Sequence, residues 1–227
     1  MSISAAGLVR SAAVAAVTAG TLYVAVQVNH PPMELASVAT TEWVLRNAAK
    51  VIMAALALAG VTGMYATRRR RVGVLGLVGY LLFAVGFLAM FGVALIAATV
   101  LPALATANPG YVTDVLVAAE GGAPAGDIGG LQAVLGVSGV GYMVGGLMFG
   151  LALYRGRALA RWASLLLAVG TIGTLALAVL PETLNRPLAV PVGIALIGLG
   201  ASLWRSPLDA DTPSLGGART TAEVVAR

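Results

Sequence analysis

Residues 44–101 read VLRNAAKVIMAALALAGVTGMYATRRRRVGVLGLVGYLLFAVGFLAMFGVALIAATVL. Two apolar runs, 44–66 and 72–101, flank a block of four arginines, Arg68 to Arg71. Each run meets or exceeds the roughly 20 residues with which an α-helix crosses a bilayer. A basic block between two such runs reads as a tight turn on the cytoplasmic side of a membrane, here an inner loop at 67–71. This pair sets the fold class, an all-α polytopic membrane helix bundle.

Outward from this pair, four further apolar stretches lie at 7–28, 131–154, 160–180 and 188–204, for about six transmembrane helices in all. The first is expected to be a retained helix rather than a cleaved signal. Its run is long, and it leads into Gln27, Asn29, His30 and two prolines without a small-x-small cleavage site. Pro102 and Asn108-Pro109-Gly110 are expected to end the third span, and Pro187 and Pro191 to stand in the first turns of the last. Residues 1–205 then form the bundle, and 206–227 a disordered cytoplasmic tail.

Composition agrees. The 227 residues are 59% hydrophobic and 10% charged, too few charges to coat a water-soluble globule. An ordinary soluble enzyme and a nucleic-acid binder are excluded. With no cysteine and one histidine, a disulfide framework, thiol catalysis and a multi-histidine metal centre within this chain are excluded as well, and no cofactor or metal is expected.

Charge orients the spans. With the N-terminus inside, 11 of the 14 basic residues are cytoplasmic: Arg10, Arg68 to Arg71, Arg155, Arg157, Arg161, Arg205, Arg219 and Arg227. The positive-inside rule therefore places both termini in the cytoplasm, and the protein is expected in the plasma membrane. Glu34, Glu42, Asp114, Glu120, Asp127 and Glu182 all fall at the opposite end, near the long outer loops 29–43 and 102–130. Gly141/Gly145 and Gly146/Gly150 form two offset small-xxx-small pairs suited to close helix packing in lipid.

Chemistry concentrates in a few places. Glu42, Arg46 and Lys50 share one helix face by their i, i+4, i+8 spacing, with Trp43 and Asn47 beside them. They form either an interfacial helix end or the wall of a polar cavity. Tyr111 to Glu120 reads as a short amphipathic helix carrying Asp114 among apolar neighbours. Glu182 follows Pro181 in a turn where Arg186 stands four residues on, and His30 reads as a loop residue or cap. Tyr80, Phe83, Phe87 and Phe91 form an aromatic stripe, either packing or a wall whose π faces stabilise a passing cation. An apolar cavity, aromatic walls and a few carboxylates suit acid-initiated polyene cyclisation. Ionisation of a diphosphate is disfavoured, because no DDxxD-like cluster is present to hold magnesium.

The runs TTEWVLRNAAKVIMAALALAGVTGMY (40–65), GVLGLVGYLLF (73–83), GDIGGLQAVLGVSGVGY (126–142) and NRPLAVPVGIALIGLG (185–200) resemble actinobacterial membrane-bound terpene cyclases of the drimentine type, themselves distantly similar to fungal meroterpenoid cyclases. The resemblance spans about residues 38–205. It implies a metal-free, isomerase- or lyase-like cyclase acting on a farnesylated, indole-bearing substrate, with a Glu and an Asp as key acids. Carried onto this chain, these are Glu42 and Asp114, with Glu182 a third candidate and the choice of proton donor open. Trp43, Arg46, Asn47, Tyr80, Phe83, Phe87, Phe91 and Tyr111 would contact the substrate. The partners expected are a lipophilic prenylated small molecule and membrane lipids, with no nucleic acid. The alternative is a non-catalytic small membrane carrier or partner-binding subunit.

Overall fold

The computed structural model describes residues 4–28, 30–173 and 182–206, with side chains in the last segment from 189 onward. All regular structure there is helical: α1 (Ala5–Ala25), α2 (Leu35–Val38), α3 (Thr41–Thr99), α4 (Leu101–Ala107), α5 (Pro109–Ala119), α6 (Gly130–Arg155), α7 (Arg161–Gly173) and α8 (Glu182–Arg205). Helix starts carry side-chain caps. The Ser4 hydroxyl accepts the Gly7 N–H at 3.1 Å, Thr40 accepts that of Trp43 at 3.2 Å, and Asn108 accepts that of Tyr111 at 3.3 Å. Among the described residues, α1, α3 and α6 are long and apolar enough to cross a membrane. Their outward faces carry apolar side chains, Val74 at 77% exposure and Leu88 at 60% among them. Such a surface suits lipid and not water.

The 59 residues of α3 would span about 88 Å if straight. Instead the chain doubles back at Gly73, whose φ of 59° and ψ of −157° only glycine adopts without strain. Tyr65 and Tyr80 stack across the resulting hairpin with ring centroids 4.6 Å apart, and the Thr62 hydroxyl lies 3.2 Å from that of Tyr80. At the far end the Trp43 indole N–H donates to the Ala97 carbonyl at 2.9 Å. The two apolar runs of the sequence are therefore antiparallel limbs, 41–72 and 74–99. The expected inner loop at 67–71 is corrected. Arg68 to Arg71 remain helical, because arginine favours helix, and the reversal waits for the first residue that tolerates positive φ.

Each limb then meets its neighbour antiparallel, and the helices close a ring: α1, the two limbs of α3, α6, α7, α8 and back to α1. Glycines set the approach. Gly20 meets Gly193 between α1 and α8, Gly60 meets Ala16 between α1 and the first limb, and Gly86 meets Tyr142 between the second limb and α6. The offset glycine pairs of α6 serve two neighbours: Gly141 and Gly145 face the second limb of α3, whereas Gly146 and Gly150 face Thr171 and Ala168 of α7. The Ser202 hydroxyl of α8 accepts the Ala160 N–H at 2.9 Å, beside the start of α7.

Antiparallel alternation brings Arg10, Arg68 to Arg71, Arg155, Arg161 and Arg205 to one end of the ring. At the other end a small second core of Val38, Trp43, Ala97, Leu101, Val112, Leu116 and Ile128 forms a cap. Of two expectations about prolines, one holds and one is corrected here. The long span α3 ends at Thr99, just ahead of Pro102, as expected, and Pro102 and Pro109 then stand in the first turns of α4 and α5, where a missing N–H costs nothing. The placement of Pro191 in the first turns of the last span is corrected: α8 begins at Glu182, so Pro191 falls within the helix. The end of the expected fifth span, 174–180, and the expected tail from residue 207 lie outside the described residues.

Candidate functional site

The capped end holds most of the polar side chains singled out from the sequence. Thr40 starts α3, which puts Glu42 in its first turn and Arg46 one turn on. The Arg46 guanidinium donates to Glu42 Oε1 at 2.7 and 2.9 Å, and also to the carbonyls of Val28 at 2.7 Å and Val26 at 3.3 Å. Those carbonyls follow the last turn of α1, where helical partners run out. Arg46 thus clamps the end of α1 to the start of α3, and Glu42, with its side chain 56% exposed, holds the clamp in place. An ion pair so solvated contributes at most about 1 kcal/mol.

Beside Glu42, Trp43 is fully enclosed, and one turn on the Asn47 amide donates to the Trp43 carbonyl at 2.9 Å. The His30 ring lies edge-on to Trp43, with centroids 6.4 Å apart. His30 Nδ1 is 2.7 Å from the Pro31 carbonyl, which only accepts, so Nδ1 carries the hydrogen. Nε2 is then the acceptor for the Lys50 ammonium, 2.9 Å away. The hydrogen-bond network, not an observed proton, assigns this tautomer.

Asp114 sits on α5 and uses both oxygens locally: Oδ1 accepts the Ala125 N–H at 2.9 Å and Oδ2 that of Gly126 at 3.1 Å. Tyr111, one turn earlier, reaches the Ile128 carbonyl at 3.5 Å, and Asp127 accepts the Gly129 N–H at 2.7 Å. Together these contacts fold the segment after α5 back over it. Glu42 and Asp114 are each engaged by their own neighbours. Glu182 is the first residue of α8, and its side chain lies outside the described residues.

A second cluster sits inside the ring. Phe83 and Phe87 are fully buried, with centroids 4.6 Å apart, and both contact Tyr142, at 5.8 and 6.1 Å. Tyr142 in turn stacks on Tyr23 at 6.4 Å, and their hydroxyls share a hydrogen bond of 2.8 Å. Of the aromatic stripe read from the sequence, Phe83 and Phe87 enter this cluster. Phe91 packs against the same core while partly buried, and Tyr80 turns to Tyr65. Sequence reasoning missed Tyr23 and Tyr142. Their partnership joins residues 119 positions apart, and no local spacing announces it.

The pair makes a measurable prediction. Tyr142→Phe leaves the Tyr23 hydroxyl buried without its partner and costs about 1–3 kcal/mol, whereas Tyr23→Phe with Tyr142→Phe is close to neutral. Thermal unfolding of the purified variants in detergent, read by circular dichroism, checks this. A double variant as unstable as the sum of the singles would refute it.

No family model, no curated protein and no solved structure matches this chain. The geometry that bears on function is a clamp at the capped end, a loop tied to Asp114, and a densely packed aromatic core with one polar link.

Proposed function

We propose that the chain is a six-pass plasma-membrane protein with both termini in the cytoplasm, and that it works as a non-catalytic, partner-binding subunit of the membrane. The placement is supported by the gathering of arginines at one end of the ring, which the positive-inside rule assigns to the cytoplasm. The functional reading is carried by one observation: two of the three acids singled out for proton transfer hold the capped end together, Glu42 through Arg46 and Asp114 through the Ala125 and Gly126 amides. A carrier is less well supported than a subunit. Alternating access requires helices that rock or slide, and here backbone meets backbone at Gly20/Gly193 and Gly86/Tyr142.

A second reading, the metal-independent terpene cyclase, is favoured by the buried ring of Phe83, Phe87, Tyr142 and Tyr23. Clustered π faces are what a carbocation derived from a farnesylated, indole-bearing substrate would need. In that reading Asp114 or Glu42 must first release its present partners before giving up a proton.

One experiment separates the two. Purified protein is incubated with a farnesylated indole in the absence of metal. The subunit reading expects no cyclised product, and a second polypeptide retained at fixed stoichiometry after mild extraction, read by native mass spectrometry. Cyclised product from the wild type, lost in Asp114→Asn or Glu42→Gln variants that still fold, would overturn it in favour of the cyclase.

A further inference from the structure

Where α1 and α8 cross, small residues let the two backbones approach so closely that an ideal Cβ on Gly200 would lie 2.8 Å from the Ala13 carbonyl oxygen. The small side chains leave a furrow on the outer face of this seam. It has a volume of about 330 Å³, with Ala13, Val17, Gly200 and Ala201 among its lining and Trp204 and Arg205 at one end. The furrow opens at the arginine end of the ring. There the Arg10 guanidinium of α1 stands over the Trp204 ring of α8, 5.5 Å from its centroid, so both helices deliver a cation to the same mouth.

We propose that this furrow binds an anionic phospholipid, its acyl chain along the α1–α8 seam and its phosphate between Arg10 and Arg205. The dimensions fit. Ala13 to Val17 lie three to seven residues beyond Arg10, which at 1.5 Å per residue is roughly 5–10 Å below the headgroup, the depth of the upper acyl chain. The furrow is lined almost wholly by apolar atoms, and it offers a hydrocarbon chain close contact but gives a free phosphate no deeper partner. Charge chooses among lipids. Phosphatidylcholine brings a cation of its own to two arginines, whereas phosphatidylglycerol brings only the anion. Trp204 suits this level, since its indole prefers the boundary between chain and headgroup.

The inference rests on the membrane reading above, and the test keeps the two apart. Full-length protein extracted in detergent is given equal amounts of phosphatidylglycerol and phosphatidylcholine with matched acyl chains, and retained lipid is read by native mass spectrometry. If the protein stays soluble without detergent, the membrane reading fails, and the lipid site with it. In detergent, the wild type is expected to retain phosphatidylglycerol preferentially, with each arginine contributing about fivefold. Arg10→Gln with Arg205→Gln removes that preference but leaves some lipid bound. Val14→Phe, at an exposed position that lines the furrow, reduces retention of both lipids without shifting thermal unfolding. Equal retention of the two lipids by the wild type, or a preference that survives loss of both arginines, overturns the proposal.

Discussion

Gly145→Leu is expected to leave little folded protein. Gly145 lies on α6 where the second limb of α3 crosses it, and an ideal Cβ there would overlap the Phe83 backbone nitrogen and crowd its Cα at 2.6 Å. A clash with a flexible side-chain tip relaxes by a rotamer change. A clash with backbone moves the whole helix, and so opens the contacts of Gly141 with Gly86 and of Gly79 with Phe149 on the same seam. Overpacking of this kind costs about 1–3 kcal/mol in ordinary cores and more where backbone must shift. Close approach is also the main source of helix association in lipid, where tails are as apolar as leucine. Gly136→Leu on the same helix is the control, because nothing lies within 4 Å of its ideal Cβ. Size-exclusion profiles and thermal unfolding in detergent should show aggregation or a large fall for Gly145→Leu and near wild-type behaviour for Gly136→Leu. Equal behaviour of the two would refute the α3–α6 seam.

The second large effect concerns Phe83, and it bears on function as well as stability. Fully buried against Phe87 and Tyr142, this ring fills the centre of the bundle. Phe83→Ala is expected to cost about 3–5 kcal/mol, as truncation of a buried phenylalanine does where neighbours cannot collapse into the gap. Gly79, Gly86 and Gly145 already hold the backbones at contact distance, so the gap stays open and the lost dispersion contacts are not recovered. Phe91→Ala, at a partly buried position, should cost distinctly less. Were Phe83 instead the wall of an empty substrate chamber, its truncation would spare stability and cut turnover. Unfolding midpoints of the two variants, measured beside cyclisation assays, distinguish these outcomes.

Much of the architecture was legible in the chain because it depends on local composition. The helical character of 44–66 and 72–101, the short helix at Tyr111 to Glu120 and the packing role of the α6 glycines each follow from hydropathy or residue spacing, and the structure contains all three. Less legible was the reversal between the limbs. Four arginines looked like a loop, yet side-chain charge does not break a helix, and Gly73 alone supplies the backbone conformation that does. The residues singled out for a site were read without their partners. Glu42 and Arg46 are neighbours by spacing alone, whereas the carbonyls of Val26 and Val28, which make the pair a clamp, arrive from another helix. Asp114 looked suited to proton transfer because its sequence neighbours are apolar. The amides that engage it come from residues 125 and 126, brought back by a turn that no periodicity describes.

By itself, then, the sequence determined an all-helical, oil-facing protein with its arginines gathered at alternate turns, since hydrophobicity and charge are properties of each segment wherever it lies. Tertiary structure alone decided which faces meet. The hydrogen bond between Tyr23 and Tyr142, the enclosure of Phe83 and Phe87, and the furrow beside Trp204 depend on the rotation of each helix about its axis. Contact between distant backbones sets that rotation, and no stretch of sequence contains it.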